Sequence, residues 1–182
     1  MNILFIYGSS EGQTKKISGL IADIISSKGH QVTLQPGNQL PADSSIDTYD
    51  AAIIGSSIHM GDYPDYIKEF VITHRDWLNT IPTAFFTVCM SVHSQLARSR
   101  DEAVRYRDGF LAETGWLPKL TKTFSGAVKY TEYNFITRFI MKLVSKREGA
   151  STDTSRDHEY TDWVSVERFA EKIIVEMSDL VR

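Results

Sequence analysis

The chain opens on an apolar run, Ile3-Leu4-Phe5-Ile6-Tyr7, that leads straight into a glycine- and hydroxyl-rich loop and then a helical pattern. A short strand that is apolar at every position cannot leave a face in water, so it belongs inside a sheet covered on both sides. From Thr14 to about Ser27, Ile17, Leu20, Ile21, Ile24 and Ile25 recur at helical spacing, and Lys28-Gly29 suits a helix C-terminus. The same alternation repeats downstream. Gln31-Val32-Thr33-Leu34, Ala51-Ala52-Ile53-Ile54-Gly55 and Thr83-Ala84-Phe85-Phe86-Thr87-Val88 read as strands two to four, and Phe124-Ser125-Gly126-Ala127-Val128 as the fifth. Between and after them, helices are predicted over 66–77, 103–114 and 163–180. In the last of these, Val166, Phe169, Ile173, Ile174 and Met177 point to the core. Strand and helix in alternation predict an α/β fold with a doubly wound parallel sheet, whose ligands bind at the carboxyl ends of the strands.

Three loops then share one crevice. The first is Gly8-Ser9-Ser10-Glu11-Gly12-Gln13-Thr14, between a buried strand and a helix. A phosphate there meets free backbone N–H groups and the positive end of the helix dipole. No Gly-Lys-Ser/Thr and no GxGxxG is present, which argues against a nucleoside triphosphate or standard dinucleotide site. Without a lysine, the loop suits a phosphate monoester held by neutral donors. A plain capped turn would favour the same residues. The companion loops are Gly55-Ser56-Ser57-Ile58-His59-Met60-Gly61, after strand three, and Cys89-Met90-Ser91-Val92-His93, after strand four. Ser56, Ser57 and Ser91 offer hydroxyls, Ile58, Met60 and Met90 offer apolar contact to a flat ring, and backbone groups near His59 and Cys89 can address a ring edge. The candidate cofactor-binding residues are therefore Ser9, Ser10, Glu11, Gly12, Gln13, Thr14, Ser56, Ser57, Ile58, His59, Met60, Cys89, Met90 and Ser91. No residue is assigned a catalytic role, and no Cys/His/Asp spacing fits a zinc site.

Bulk properties narrow the class further. At 182 residues with a net charge of −3, the chain is sized for one domain and carries no nucleic-acid signature. It has no apolar run long enough to span a bilayer and no signal-peptide pattern at Met1. One cysteine, Cys89, fits a reducing compartment, so a cytoplasmic protein is expected. Two stretches exceed a minimal five-strand unit, residues 93–107 and 130–149. Within the second, Tyr133, Ile136, Ile140, Leu143 and Val144 can form one helical face, ringed by Arg138, Lys142, Lys146 and Arg147. From Lys129 to Arg147, five cations stand against one anion. Such a basic amphipathic helix fits an anionic membrane surface, or a helix packed on its own domain with a solvated basic side.

The opening through Thr14 resembles the FMN phosphate loop of flavodoxins. Later blocks resemble one branch of that family, the menaquinone-dependent protoporphyrinogen IX dehydrogenases. They are Ile53 to Ile58, Pro82-Thr83-Ala84-Phe85, Gly126-Ala127-Val128-Lys129-Tyr130, Arg138 to Leu143, Thr152-Asp153-Thr154 and Tyr160-Thr161-Asp162-Trp163. The resemblance covers nearly the whole chain, the 130–149 stretch included, and departs in 93–107, where Asp101 and Glu102 replace a more lysine-rich pattern. It implies a flavodoxin-like three-layer fold, a sheet of order 2-1-3-4-5 and a basic helical insertion. It also implies non-covalent FMN, oxidation of protoporphyrinogen IX, electron delivery to a quinone, and membrane contact through residues 133–147 at the inner face of the cell membrane. A flavodoxin-type electron carrier, another FMN-dependent quinone oxidoreductase, a scaffold without FMN and assembly as a homo-oligomer remain open from the residues alone.

Overall fold

The computed structural model describes residues 1–40, 46–59, 61–94 and 96–180. Five parallel strands form one sheet in the order β2-β1-β3-β4-β5: β1 (Asn2–Gly8), β2 (Gln31–Pro36), β3 (Ala51–Ser57), β4 (Thr83–Val88) and β5 (Leu120–Phe124). Along β1, β3 and β4 successive side chains alternate between two apolar cores. On one side, Ile3, Phe5, Ile53, Ala84 and Phe86 meet α1 (Gln13–Ser27) and α6 (Trp163–Leu180) through Ile17, Ile21, Ile25, Val166, Phe169 and Ile173. On the other, Leu4, Ile6, Ala52, Ile54 and Phe85 meet Ile67, Phe70 and Val71 of α2 (Asp65–Thr73), Phe110 of α4 (Ala97–Thr114), and Trp116. The result is the three-layer flavodoxin-like architecture. Each fully buried Ile, Val or Phe among them contributes about 1.5–3 kcal/mol relative to exposure.

Three elements differ from the sequence reading. The fifth strand is Leu120–Phe124, not 124–128: β5 lies at the sheet edge, so only Leu120 and Phe124 are buried and its polar residues mask the pattern. Ala127–Val128 instead forms β6, paired antiparallel with β7 (His158–Glu159) away from the main sheet. The helix predicted over 66–77 breaks at His74 into α2 and the short α3 (Arg75–Leu78). The helix predicted from 103 begins at Ala97, so most of the stretch 93–107 is the first half of a crossover helix. Its N-terminal turns carry few apolar residues and form on local propensity, which periodicity does not register.

The 130–149 stretch carries α5 (Phe135–Glu148), which rises from β6 and returns to β7. Asn134 caps it by accepting from the Thr137 N–H at 2.8 Å, and Gly149, at φ 72°, closes its C-terminus. The helix turns Arg138 and Ser145 toward the body. Ser145 is buried against the Tyr130 hydroxyl (2.8 Å), and Arg138 Nε donates to the Tyr130 carbonyl at 2.9 Å. Arg138 is thus a structural clamp rather than part of a solvated basic rim. Phe135, Ile136, Phe139, Ile140, Leu143 and Val144 remain exposed. Tyr133, expected on the same face, precedes the helix and is half-buried. Among the described residues no helix is long and apolar enough to cross a membrane.

Candidate functional site

Three loops gather at the carboxyl ends of β1, β3 and β4 around a cavity of about 350 Å³. In the β1–α1 loop, Gly12 adopts φ 83°, a conformation glycine reaches without strain, and its N–H donates to Ser9 Oγ at 3.0 Å. No side chain caps the start of α1. The first-turn N–H groups therefore face the cavity end without an intrahelical acceptor. Thr14 is buried, lines the cavity, and its hydroxyl has no hydrogen-bond partner. An orphaned hydroxyl beside an uncapped helix start is the arrangement an oxyanion ligand completes.

The other two loops extend the sheet before opening. Ile58 N–H donates to the Val88 carbonyl (3.0 Å) and Cys89 N–H to the Phe124 carbonyl (3.0 Å), so the strands stay in register up to the cavity. His59 and Asp62 exchange backbone hydrogen bonds at 2.9 and 3.1 Å around Gly61, at φ 88°. That tight turn lets Tyr106 of α4 pack against Gly61, where a Cβ would lie 3.2 Å from the tyrosine oxygen.

Of the residues singled out from sequence, Ser9, Ser10, Glu11, Gln13, Thr14, Ser57, Ile58, His59, Cys89, Met90 and Ser91 line this cavity. Gly12 shapes the loop from behind. Ser56 is fully buried beneath it, its hydroxyl turned to the Ser57 carbonyl at 3.3 Å. Met60 lies outside the described residues. His93 does not reach the cavity wall; its ring packs on Tyr160 at 4.1 Å between centroids.

Two walls were not legible in the loops. One is Glu102 and Tyr106, a helical turn apart on α4; burial, then the Glu102 carboxylate, raises the Tyr106 phenol above its usual range. The other is Ile140, Met141 and Val144 of α5, whose i, i+1, i+4 spacing marks a shared face but not its target. A third contact joins insertion and loop: the Tyr133 hydroxyl donates to Glu11 Oε1. Burial, and next this hydrogen bond, hold the Tyr133 proton well above the ordinary tyrosine range. The cavity wall contains neither lysine nor arginine among the described residues. It offers neutral donors at one end, apolar surface along α5 and a polar edge at α4.

The family model described as the flavodoxin domain matches residues 4–155. Protoporphyrinogen IX dehydrogenase [quinone] of Escherichia coli (strain K12) is 31% identical over 173 residues, covering 95% of this chain and 94% of that protein. The protein of the same name from Leishmania major is 30% identical, covering 92% of this chain and 72% of its own. Among solved structures, a flavodoxin from the domain Archaea superposes with a TM-score of 0.54 at 14% identity, over 100% of this chain and 99% of its own. Oxidised Flavodoxin 1 from Bacillus cereus gives 0.54 at 16%, over 96% and 97%. At those identities the two structures speak for the fold.

Proposed function

The chain belongs to the flavodoxin domain family, with the protoporphyrinogen IX dehydrogenases among its relatives, and from that premise we propose an FMN-dependent oxidoreductase of haem biosynthesis. It oxidises protoporphyrinogen IX to protoporphyrin IX and passes the electrons to a membrane quinone. The observation that carries the cofactor is the unpartnered, buried Thr14 hydroxyl at the uncapped start of α1. Ser9, Ser10, Glu11, Gly12, Gln13 and Thr14 would hold the FMN phosphate, with backbone N–H groups and hydroxyls in place of a cation. Ser57 and Ser91 offer hydroxyls further along the cavity. Ile58, Met90, Met141 and Val144 supply apolar surface that excludes water from a flat ring.

FMN, when bound, supplies the redox chemistry by taking up and releasing electron pairs. The chain's own residues position the ring, keep water from it and leave one edge open to a second ligand. The porphyrinogen loses hydrogen as successive electron pairs with their protons, and successive quinones take up one pair each, so no other oxidant is needed. No side chain is assigned as acid or base.

The unpartnered apolar side of α5, with Lys142, Lys146 and Arg147 on the same helix, supports contact with an anionic bilayer at the inner face of the cell membrane. Two measurements test the reading. Purified protein loaded with FMN should show flavin absorbance; a protein that takes up none removes the cofactor. Loaded protein given protoporphyrinogen IX and a menaquinone analogue should produce porphyrin fluorescence above the uncatalysed rate. Its failure to do so removes the dehydrogenase activity.

A further inference from the structure

The same helix that walls the cavity also carries the exposed apolar surface, and the two are continuous. Ile140, Met141 and Val144 line the cavity, while Ile140 and Val144 are 52% and 38% exposed. At about 100° per residue, Ile140 and Val144 sit on the flank of α5 between the cavity and Ile136, Leu143 and Phe139, which face solvent. An apolar band therefore runs from inside the cavity, over the Ile140–Val144 edge, and out to the side turned to the bilayer. The α4 wall is different in kind. There Tyr106 and Glu102 present a phenol and a carboxylate, with oxygen to oxygen at 3.5 Å.

We infer that the Ile140–Val144 edge is the entry for a lipid-borne quinone, whose ring passes into the cavity while its isoprenoid tail stays along Ile136 and Leu143. This rests on the quinone acceptor proposed above and adds where that acceptor binds. A tailed quinone cannot cross water without exposing its apolar chain, so the favourable route is one that never leaves apolar surface. The α5 band offers that route, and the α4 wall does not. Electron transfer then needs no dissociation of the protein from the membrane.

Photolabelling tests the assignment. FMN-loaded protein is bound to anionic vesicles that contain a tailed quinone carrying a photoreactive group on its first isoprene unit. After irradiation, labelled residues are mapped by mass spectrometry, with and without excess unlabelled quinone. Label within 136–144 that is lost on competition is the expected result. Competed label on α4 or the 59–62 turn overturns the entry route while leaving the quinone acceptor standing. Absence of any competed label, in a protein that still oxidises porphyrinogen with a water-soluble acceptor, overturns both.

Discussion

The Tyr133 hydroxyl donates a 2.5 Å hydrogen bond to Glu11 Oε1, tying the lead-in of α5 to the β1–α1 loop across 122 residues of sequence. The same hydroxyl accepts from the Lys129 N–H at 3.4 Å. The wall of the cavity is thus fastened to the loop that would hold the cofactor. Tyr133→Phe should loosen this fastening at a cost of about 1 kcal/mol. Hydrogen exchange should quicken across 129–149 and stay unchanged in β1, β3 and β4. Uniform exchange rates in wild type and variant would show that the bond holds nothing in place.

Thr14→Val separates cofactor binding from stability. The hydroxyl is buried without a partner, so an isosteric methyl should leave the apoprotein as stable as wild type or slightly more so. FMN affinity should fall by about ten- to a hundredfold, the worth of one hydrogen bond to a charged group. Flavin titration followed by fluorescence, beside urea unfolding of the apoprotein, reads both quantities. Unchanged FMN affinity would remove Thr14 from the site.

Alkaline pH should destabilise the fold through two tyrosines. Burial raises Tyr63 far above its ordinary 10.0, against a partly opposing bond from Thr87, and burial with the Glu11 bond does the same for Tyr133. A raised folded value means the contribution is whole below pH 10 and is lost as pH rises beyond it. Urea midpoints should therefore be flat from pH 7 to about 9.5 and fall above it. Tyr63→Phe should start lower at neutral pH, through loss of the Thr87 contact, and fall less steeply.

Acid should open the β6–α5–β7 segment before the sheet. The Thr131 N–H chiefly lowers Asp157 from its usual 3.8; burial opposes it, and the Thr131 hydroxyl and Lys129 add to the lowering. In Glu159 burial opposes, and bonds from Trp163 and Lys16 prevail to lower the carboxyl. Depressed folded values contribute stability above the unfolded ones and lose it as pH falls through the folded ones. Proteolysis between β6 and β7 should thus begin below about pH 4 while sheet circular dichroism persists.

Two glycines should respond in opposite directions. A methyl at Gly55 would drive into the Phe86 ring, so Gly55→Ala should destabilise by about 1–3 kcal/mol or prevent folding. Gly19 lies inside α1 with no heavy atom near a built Cβ, so Gly19→Ala should stabilise by about 0.5–1 kcal/mol. Thermal unfolding of the two single variants checks both signs.

Phe139→Ser with Leu143→Ser removes two exposed apolar side chains of α5 and should weaken binding to anionic vesicles by about tenfold or more. Raising the salt concentration should weaken wild-type binding as well, since screening reduces the pull on Lys142 and Lys146. Co-sedimentation that ignores both changes would rule out α5 as the membrane contact.

Much of this was readable from residues because it rests on local signals. The apolar run at Ile3, the isoleucines of α1 and the loop to Thr14 each specify their element through short-range pattern, and the alternation of elements implies the layers. Edge and propensity-driven elements escaped: β5 buries only its end residues, and the first turns of α4 are polar. The amphipathic character of 133–147 was visible, but which side of α5 turns inward was not. Periodicity locates a face without naming what it meets, and here Arg138 and Ser145 turn toward Tyr130 while Phe135, Ile136, Phe139 and Leu143 turn out.

The sequence by itself determined the doubly wound sheet and the place of the glycine-rich β1–α1 loop, since buried strands and a glycine-rich turn before a helix leave few other arrangements. Only the tertiary structure decided that α5 folds back over the strand ends, that Tyr133 reaches Glu11, and that one apolar band joins cavity and surface. Those contacts link residues more than a hundred positions apart. Their energy depends on the packing geometry of whole elements, which no local pattern encodes.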